Sequence, residues 1–183
     1  MAPFNAAYRR SVRPLESAQR AMQQPQFQIR PFQPTDKAEV WLLHNEALEA
    51  TGAHGGNGRW DDDVRDPDKV YLCRGGEFLV GILASRVVAM GALSPTSDQS
   101  AEIKRMRVSP QHQRRGFGAR IMAALEHRAL ELGFQRLHLD TTVLQVAAQQ
   151  FYLKHGYSEV GRSTLGSFEF IFYEKTLPST RAV

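Results

Sequence analysis

The apolar positions of this chain switch between a two-residue and a three-to-four-residue rhythm, and the switches mark its elements. Phe27-Gln28-Ile29-Arg30-Pro31-Phe32 alternates and predicts a strand. Thr35 or Asp36 then caps a helix whose apolar face carries Val40, Trp41, Leu43, His44 and Leu48, stopping at Thr51-Gly52. Residues 53–58 read as a flexible glycine-rich loop, and Asp61-Asp62-Asp63 begins a short second helix that ends before Asp66-Pro67. Strand periodicity returns at 77–83, turns near Ala84-Ser85, runs on at 86–93 and continues through 94–100 into a strand at 101–108. A long amphipathic helix follows, with Ile121, Ala124, Leu125, Ala129 and Leu132 at helical spacing and Gly133 as its stop. Residues 135–140 alternate, 145–155 form a last helix, and 157–162 and 168–177 read as two closing strands. The strand–turn–helix–strand piece at 101–140 is a crossover, so its two strands should be parallel. The rest is antiparallel, which predicts an α/β fold: a mixed, mostly antiparallel central sheet with helices on both faces.

Composition refines the outline. At 183 residues, with 42% apolar and 23% charged content, the chain has the make-up of one globular domain. The expected division is a basic extension over 1–25, a domain over 26–178 and a short tail over 179–183. The extension carries Arg9, Arg10, Arg13 and Arg20 against Glu16 alone. Without it the 23 basic and 19 acidic residues become 19 and 18, so the domain itself has no nucleic-acid footprint. No run is long enough for a membrane span. The single cysteine, Cys73, excludes an internal disulfide and points to a reducing cytoplasm. The six histidines lack metal-ligand spacing and are expected to be solvated or packed singly, with no metal bound.

The chemistry concentrates at Gln113-Arg114-Arg115-Gly116-Phe117-Gly118-Ala119, between the strand at 101–108 and the long helix. A strand, a basic glycine turn and a helix start make an anion site, because the first-turn N–H groups and the positive dipole end face the ligand. A dinucleotide fingerprint wants a third glycine where Arg120 and Ile121 stand, and a Walker loop wants Gly-Lys-Ser or Gly-Lys-Thr; both fail.

What remains resembles the GNAT superfamily of acyl-CoA N-acyltransferases, whose hallmark Gln/Arg-x-x-Gly-x-Gly/Ala is matched by Gln113-Arg114-Arg115-Gly116-Phe117-Gly118. A second family signature, Asn-x-x-Ala-x-x-x-Tyr-x-x-x-Gly-Phe/Tyr, is matched over residues 145–157 with Gln145 in place of Asn. It includes Ala148, Tyr152, Gly156 and Tyr157. The resemblance covers roughly 27–177 and implies the fold just described, with the parallel pair splayed apart. It implies that the N–H groups of 113–119 hold the CoA pyrophosphate with Arg114 and Arg115 in support. The backbone of Met106, Arg107 and Val108 would bind the pantetheine arm, a main-chain N–H near Met106 would polarise the thioester, and Gln145 and Ala148 would flank the same arm. Tyr152 takes the place of the tyrosine that protonates the departing thiolate. Glu102 lies eleven residues before Gln113, as does the base of histone-acetylating members. Strict alternation puts Glu102, Lys104, Met106 and Val108 on one face. The competing roles are packing for Tyr152 and an ion pair with Lys104 or Arg105 for Glu102.

The implied activity is acetyl transfer from acetyl-CoA directly to a primary amine, on a small molecule or a protein, without a cysteine intermediate. The loop at 52–58 and Trp60 would form the acceptor wall, and Asp61-Asp62-Asp63 could attract a cationic acceptor. The final strands suit a homodimer, and neither nucleic acid nor membrane is expected as a partner. The alternative reading is a non-catalytic acyl-CoA-binding sensor.

Overall fold

The computed structural model describes residues 25–51, 56–166 and 168–178. The basic extension through residue 24, most of the glycine-rich loop (52–55) and the tail from 179 lie outside the described residues. One seven-stranded sheet organises the chain in the order β1-β2-β3-β4-β5-β7-β6. The strands are β1 (Gln28–Pro31), β2 (Glu77–Leu83), β3 (Arg86–Ser97), β4 (Ser100–Val108), β5 (Arg136–Thr142), β6 (Ser158–Leu165) and β7 (Phe168–Thr176). All neighbours are antiparallel except β4 and β5, which are joined by a crossover and run parallel. The β2–β3 turn is at Ala84-Ser85, both in the left-handed region that a two-residue hairpin requires.

Helices cover both faces. On one side lie α1 (Lys37–Thr51) and the short helices α2 (Asp62–Arg65) and α3 (Pro67–Val70). They pack Val40, Leu43, Val64 and Tyr71 against Phe78, Val80, Met90 and Ala92 of β2 and β3. On the other side α4 (Phe117–Glu131) and α5 (Val146–Lys154) cover the larger core, where Ile121, Leu125 and Ala129 meet Leu93, Ile103, Leu137 and Leu139. The turns between 67 and 74 are helical rather than plain loop. Pro67, at the first helical position, starts one where no apolar periodicity announces it. No helix among the described residues is long and apolar enough to cross a membrane.

Two local features set up the site. The β4–β5 ladder holds only at Ser100–Arg136, Ala101–Leu137 and Glu102–His138. Beyond Glu102 the strands part. The second feature is a β-bulge, where Gly91 of β3 faces both Arg105 and Met106 of β4, because Met90 pairs with Arg107 and Ala92 with Lys104. Arg105 takes φ 55° there, a conformation normally left to glycine. Gly91 has to lack a side chain: a Cβ would come within 2.7 Å of Met106 Sδ and 2.8 Å of Leu125.

Candidate active site

The bulge corrects the strand reading. One inserted residue reverses the alternation, so Met106 and Val108 join Ala101 and Ile103 on the α4 face. Glu102 and Lys104 stay on the α1 face, where Arg107 joins them. Met106 and Glu102 therefore stand on opposite sides of the sheet, not on one. The bulge also fixes where the backbone points. The Ser109 N–H bonds the Val88 carbonyl of β3, so by alternation Arg107 faces β3 while the polar groups of Met106 and Val108 face β5. The ladder with β5 has already ended, leaving these groups along the open seam.

At the upper end of the seam β4 gives way to the turn before α4. Arg114 (φ 59°) and Gly116 (φ 80°) are left-handed, and Gly116 is the N-cap. The N–H groups of Phe117, Gly118 and Ala119 therefore emerge without intrahelical partners. Gln113, Arg114, Arg115 and Gly116 are exposed, while Phe117 is buried under the Arg115 guanidinium, which lies 5.1 Å from its ring centroid. A Cβ on Gly118 would meet Val108 and Phe151 only at ordinary contact distances. That glycine thus marks where α4, α5 and the end of β4 converge, not a steric necessity inside the chain.

α5 forms the other wall. Gln145, its N-cap, accepts a hydrogen bond from the Thr141 hydroxyl of β5 at 2.6 Å, which holds its amide in place at the seam. Ala148 packs at the edge of the larger core. Tyr152 is 8% exposed, edge-on to Phe151 and Tyr157 and tilted on Tyr173. Its hydroxyl makes no hydrogen bond among the described residues. Burial, reinforced by Asp140 and opposed by Arg107, pushes its pKa up to about 12. The phenol therefore keeps its proton throughout the neutral range.

Glu102 occupies the last position of β4 that pairs with β5, opposite Ser94 on one side and His138 on the other. Lys104 Nζ lies 3.3 Å from both of its carboxylate oxygens, and the carboxylate remains partly open to solvent. His138 Nε2 sits 3.0 Å from the Thr96 hydroxyl.

Under α1 lies an ion network that strand and helix periodicity does not reveal. Arg105, projecting from the bulge, makes a two-pronged pair with Asp63 (Nε–Oδ2 2.8 Å, Nη2–Oδ1 2.6 Å) and also donates to the Trp60 carbonyl. Tyr71 donates to the same carboxylate. Burial acts to raise the Asp63 carboxyl pKa, but the bonds from Arg105 and Tyr71 outweigh it and hold the group below the usual carboxylate value. His44, expected to be solvated or singly packed, is fully buried with Nε2 3.0 Å from Asp61 Oδ1. Asp61 also accepts from the Gly58 N–H. Burial lowers the His44 pKa, and Arg107 and Arg105 lower it further, against the pull of Asp61. The ring is neutral and donates from Nε2, leaving Nδ1 without a partner. Two features could have announced this network: the run Lys104-Arg105-Met106-Arg107 inside a strand of the central sheet, and three consecutive aspartates at 61–63 to receive it. Trp60 itself is exposed.

The fold that carries this seam is shared with known proteins. The family model described as "Acetyltransferase (GNAT) family" matches residues 37–157. The chain belongs to the GNAT acetyltransferase family. N-acetyltransferase 8F1 of Rattus norvegicus is 29% identical over 111 residues, covering 58% of this chain and 50% of that protein. The chain spans about half the length of the curated relatives it matches. A GNAT acetyltransferase of Staphylococcus aureus superposes with a TM-score of 0.76 at 19% identity, covering 84% of this chain and 100% of that one. The PaiA N-acetyltransferase of Thermoplasma acidophilum, solved in complex with coenzyme A, superposes with a TM-score of 0.66 at 18% identity, covering 82% and 99%. At these identities the two solved structures establish likeness of fold. The GNAT fold expected from the sequence, with its mixed sheet and single parallel pair, is the one found.

Proposed function

We propose that this chain is an N-acetyltransferase that takes acetyl from acetyl-CoA and passes it directly to a primary amine. The observation that carries this reading is the open β4–β5 seam. It bares the main-chain groups of Met106 and Val108 between an anion-receiving helix start and the protonated, unbonded Tyr152 hydroxyl. Phosphates at one end, an extended amide-bearing arm along the strand and a thioester at the bulge match those groups in order. The CoA complex of a protein of the same fold supports the choice of donor.

In this mechanism the N–H groups of Gln113–Ala119 hold the pyrophosphate, with the exposed Arg114 and Arg115 as ionic partners on the rim. The main chain of Met106, Arg107 and Val108, with the anchored Gln145 amide and Ala148 opposite, aligns the pantetheine arm. The Met106 N–H donates to the thioester carbonyl oxygen, where negative charge grows as the amine attacks. Glu102, on the α1 face, accepts the proton that an alkylammonium must lose before its nitrogen can attack. The nitrogen bonds to the carbonyl carbon, the carbon–sulfur bond breaks as Tyr152 gives its proton to the sulfur, and the second proton of the former amine leaves the nitrogen to solvent as the amide forms. The phenolate is then reprotonated by solvent. Acid and base on opposite faces of the sheet suit a reaction in which donor and acceptor enter the seam from opposite sides. The lone, exposed Cys73 lies outside the site, consistent with direct transfer, and a single cysteine fits a cytoplasmic setting.

A panel of amines incubated with acetyl-CoA and read by mass spectrometry tests this reading. Enzyme-dependent acetylation of at least one amine, with release of free CoA in equal amount, is the expected result. Tight binding of acetyl-CoA without turnover of any amine would instead support the sensor reading.

A further inference from the structure

Arg107 stands apart from the other cations near the seam. Arg105 is committed to Asp63 and the Trp60 carbonyl, and Lys104 faces Glu102. Arg107 donates once, from Nη1 to the Met106 carbonyl at 2.9 Å, and its Nε is buried with no partner. No carboxylate among the described residues lies within ion-pair distance of it. A guanidinium carries five N–H donors in a planar fork, and donors left unused in a buried position are costly. The Met106 carbonyl points toward β5, so the bond to it carries the Arg107 head to the mouth of the seam from the α1 face. Tyr152, on the opposite wall, is close enough for the Arg107 charge to oppose the rise in its pKa.

Charge says what the fork would receive. Asp61 and Asp63 balance Arg105 and Arg107, and the buried His44 is neutral, so the cluster is already near zero net charge. A simple amine arrives as a cation and would face Arg107 with nothing to offer it. An amine that also bears a carboxylate arrives with both signs: its ammonium can turn to Glu102 and its carboxylate to the Arg107 fork, leaving the balance unchanged. The donor cannot supply that anion, because its phosphates belong beyond Val108, at the start of α4.

We infer that Arg107 is an acceptor-binding residue, and that the acceptor is an amine carrying a carboxylate a few bonds from its nitrogen. This is an amino-acid-type substrate in place of a protein lysine, a peptide N-terminus or a simple alkylamine. The inference rests on the N-acetyltransferase reading above and deepens it.

The test compares kcat/KM for L-amino acids with that for their carboxamides at saturating acetyl-CoA, in the unsubstituted chain and in Arg107→Met and Arg107→Lys. Simple alkylamines and short peptides are included. At least one amino acid should exceed its own amide by about tenfold or more, the size of a hydrogen bond to a charged group. Arg107→Met should bring that ratio close to one, and Arg107→Lys should restore part of it. A ratio cancels any general loss of activity, and the unsubstituted chain alone shows the acceptor preference even if a variant folds poorly. Preference for amides, alkylamines or peptides, or an unchanged ratio in Arg107→Met, overturns the inference while leaving N-acetyl transfer standing. Acetylation of no amine at all removes both.

Discussion

Replacing Tyr152 by Phe should lower kcat by about 10²-fold to 10⁴-fold, the range spanned by loss of a positioned general acid. The change should leave the fold almost untouched. The ring stays in its cluster with Phe151, Tyr157 and Tyr173, and the hydroxyl it loses bonds nothing among the described residues. The stability cost should therefore stay under about 1 kcal/mol. That separation makes the substitution informative. A packing tyrosine would show little effect on either quantity, whereas a proton donor shows a large effect on one alone. The pKa of about 12 adds a second expectation: activity should show no alkaline loss from Tyr152 through pH 9 or 10. Steady-state kinetics, with thermal denaturation alongside, checks both. A kcat within threefold of the unsubstituted chain would return Tyr152 to the core as packing.

Asp63→Ala is expected to have the largest effect on stability. The carboxylate holds both prongs of Arg105 and the Tyr71 hydroxyl, and its side chain is only 14% exposed. Removing it strands a cation and a phenol beneath α1. Breaking a buried pair from one side costs about 3–5 kcal/mol, and a chain of this size should lose roughly 10 °C in melting temperature. The consequence reaches the seam. Arg105 is the left-handed residue of the bulge, and its tie to Asp63 and the Trp60 carbonyl is what keeps a non-glycine residue in that conformation. Released, β4 can relax toward regular alternation, which would turn the Met106 N–H out of the seam. The loss of stability should thus be accompanied by a lower kcat even well below the melting temperature. Differential scanning calorimetry measures the first effect and initial rates at low temperature measure the second. A variant that melts normally would mean that the ion pair contributes nothing to the fold.

The sequence made the element order legible because β2 and β3, buried on both faces, read as near-continuous apolar runs, while α4 buries one regular face. The two ends of the proposed site stand out in the sequence for a different reason. Gly116 and Tyr152 belong to local motifs whose spacing survives in the chain. The bulge at Arg105-Met106 was not legible: nothing in the local residues marks the insertion, which is specified by a glycine on the neighbouring strand, Gly91, and by an aspartate 42 residues earlier. Period-two counting then carried Met106 and Val108 to the wrong face. His44 failed for a similar reason. A histidine among apolar helix positions looks like packing, and only the fold brings Asp61 within 3.0 Å of it. Arg107 was legible as backbone alone; its side chain acquires meaning once the surrounding carboxylates are seen to be committed elsewhere.

The central claim is that the seam beside the bulge receives an acetyl thioester and polarises its carbonyl through the Met106 N–H. Isotope-edited infrared spectroscopy of acetyl-CoA labelled at the acetyl carbonyl, bound to the intact chain, measures that polarisation without any acceptor. The carbonyl stretch should move to lower wavenumber on binding, as a hydrogen bond weakens the double bond. Saturable binding with the stretch left at its free-solution position would contradict the claim.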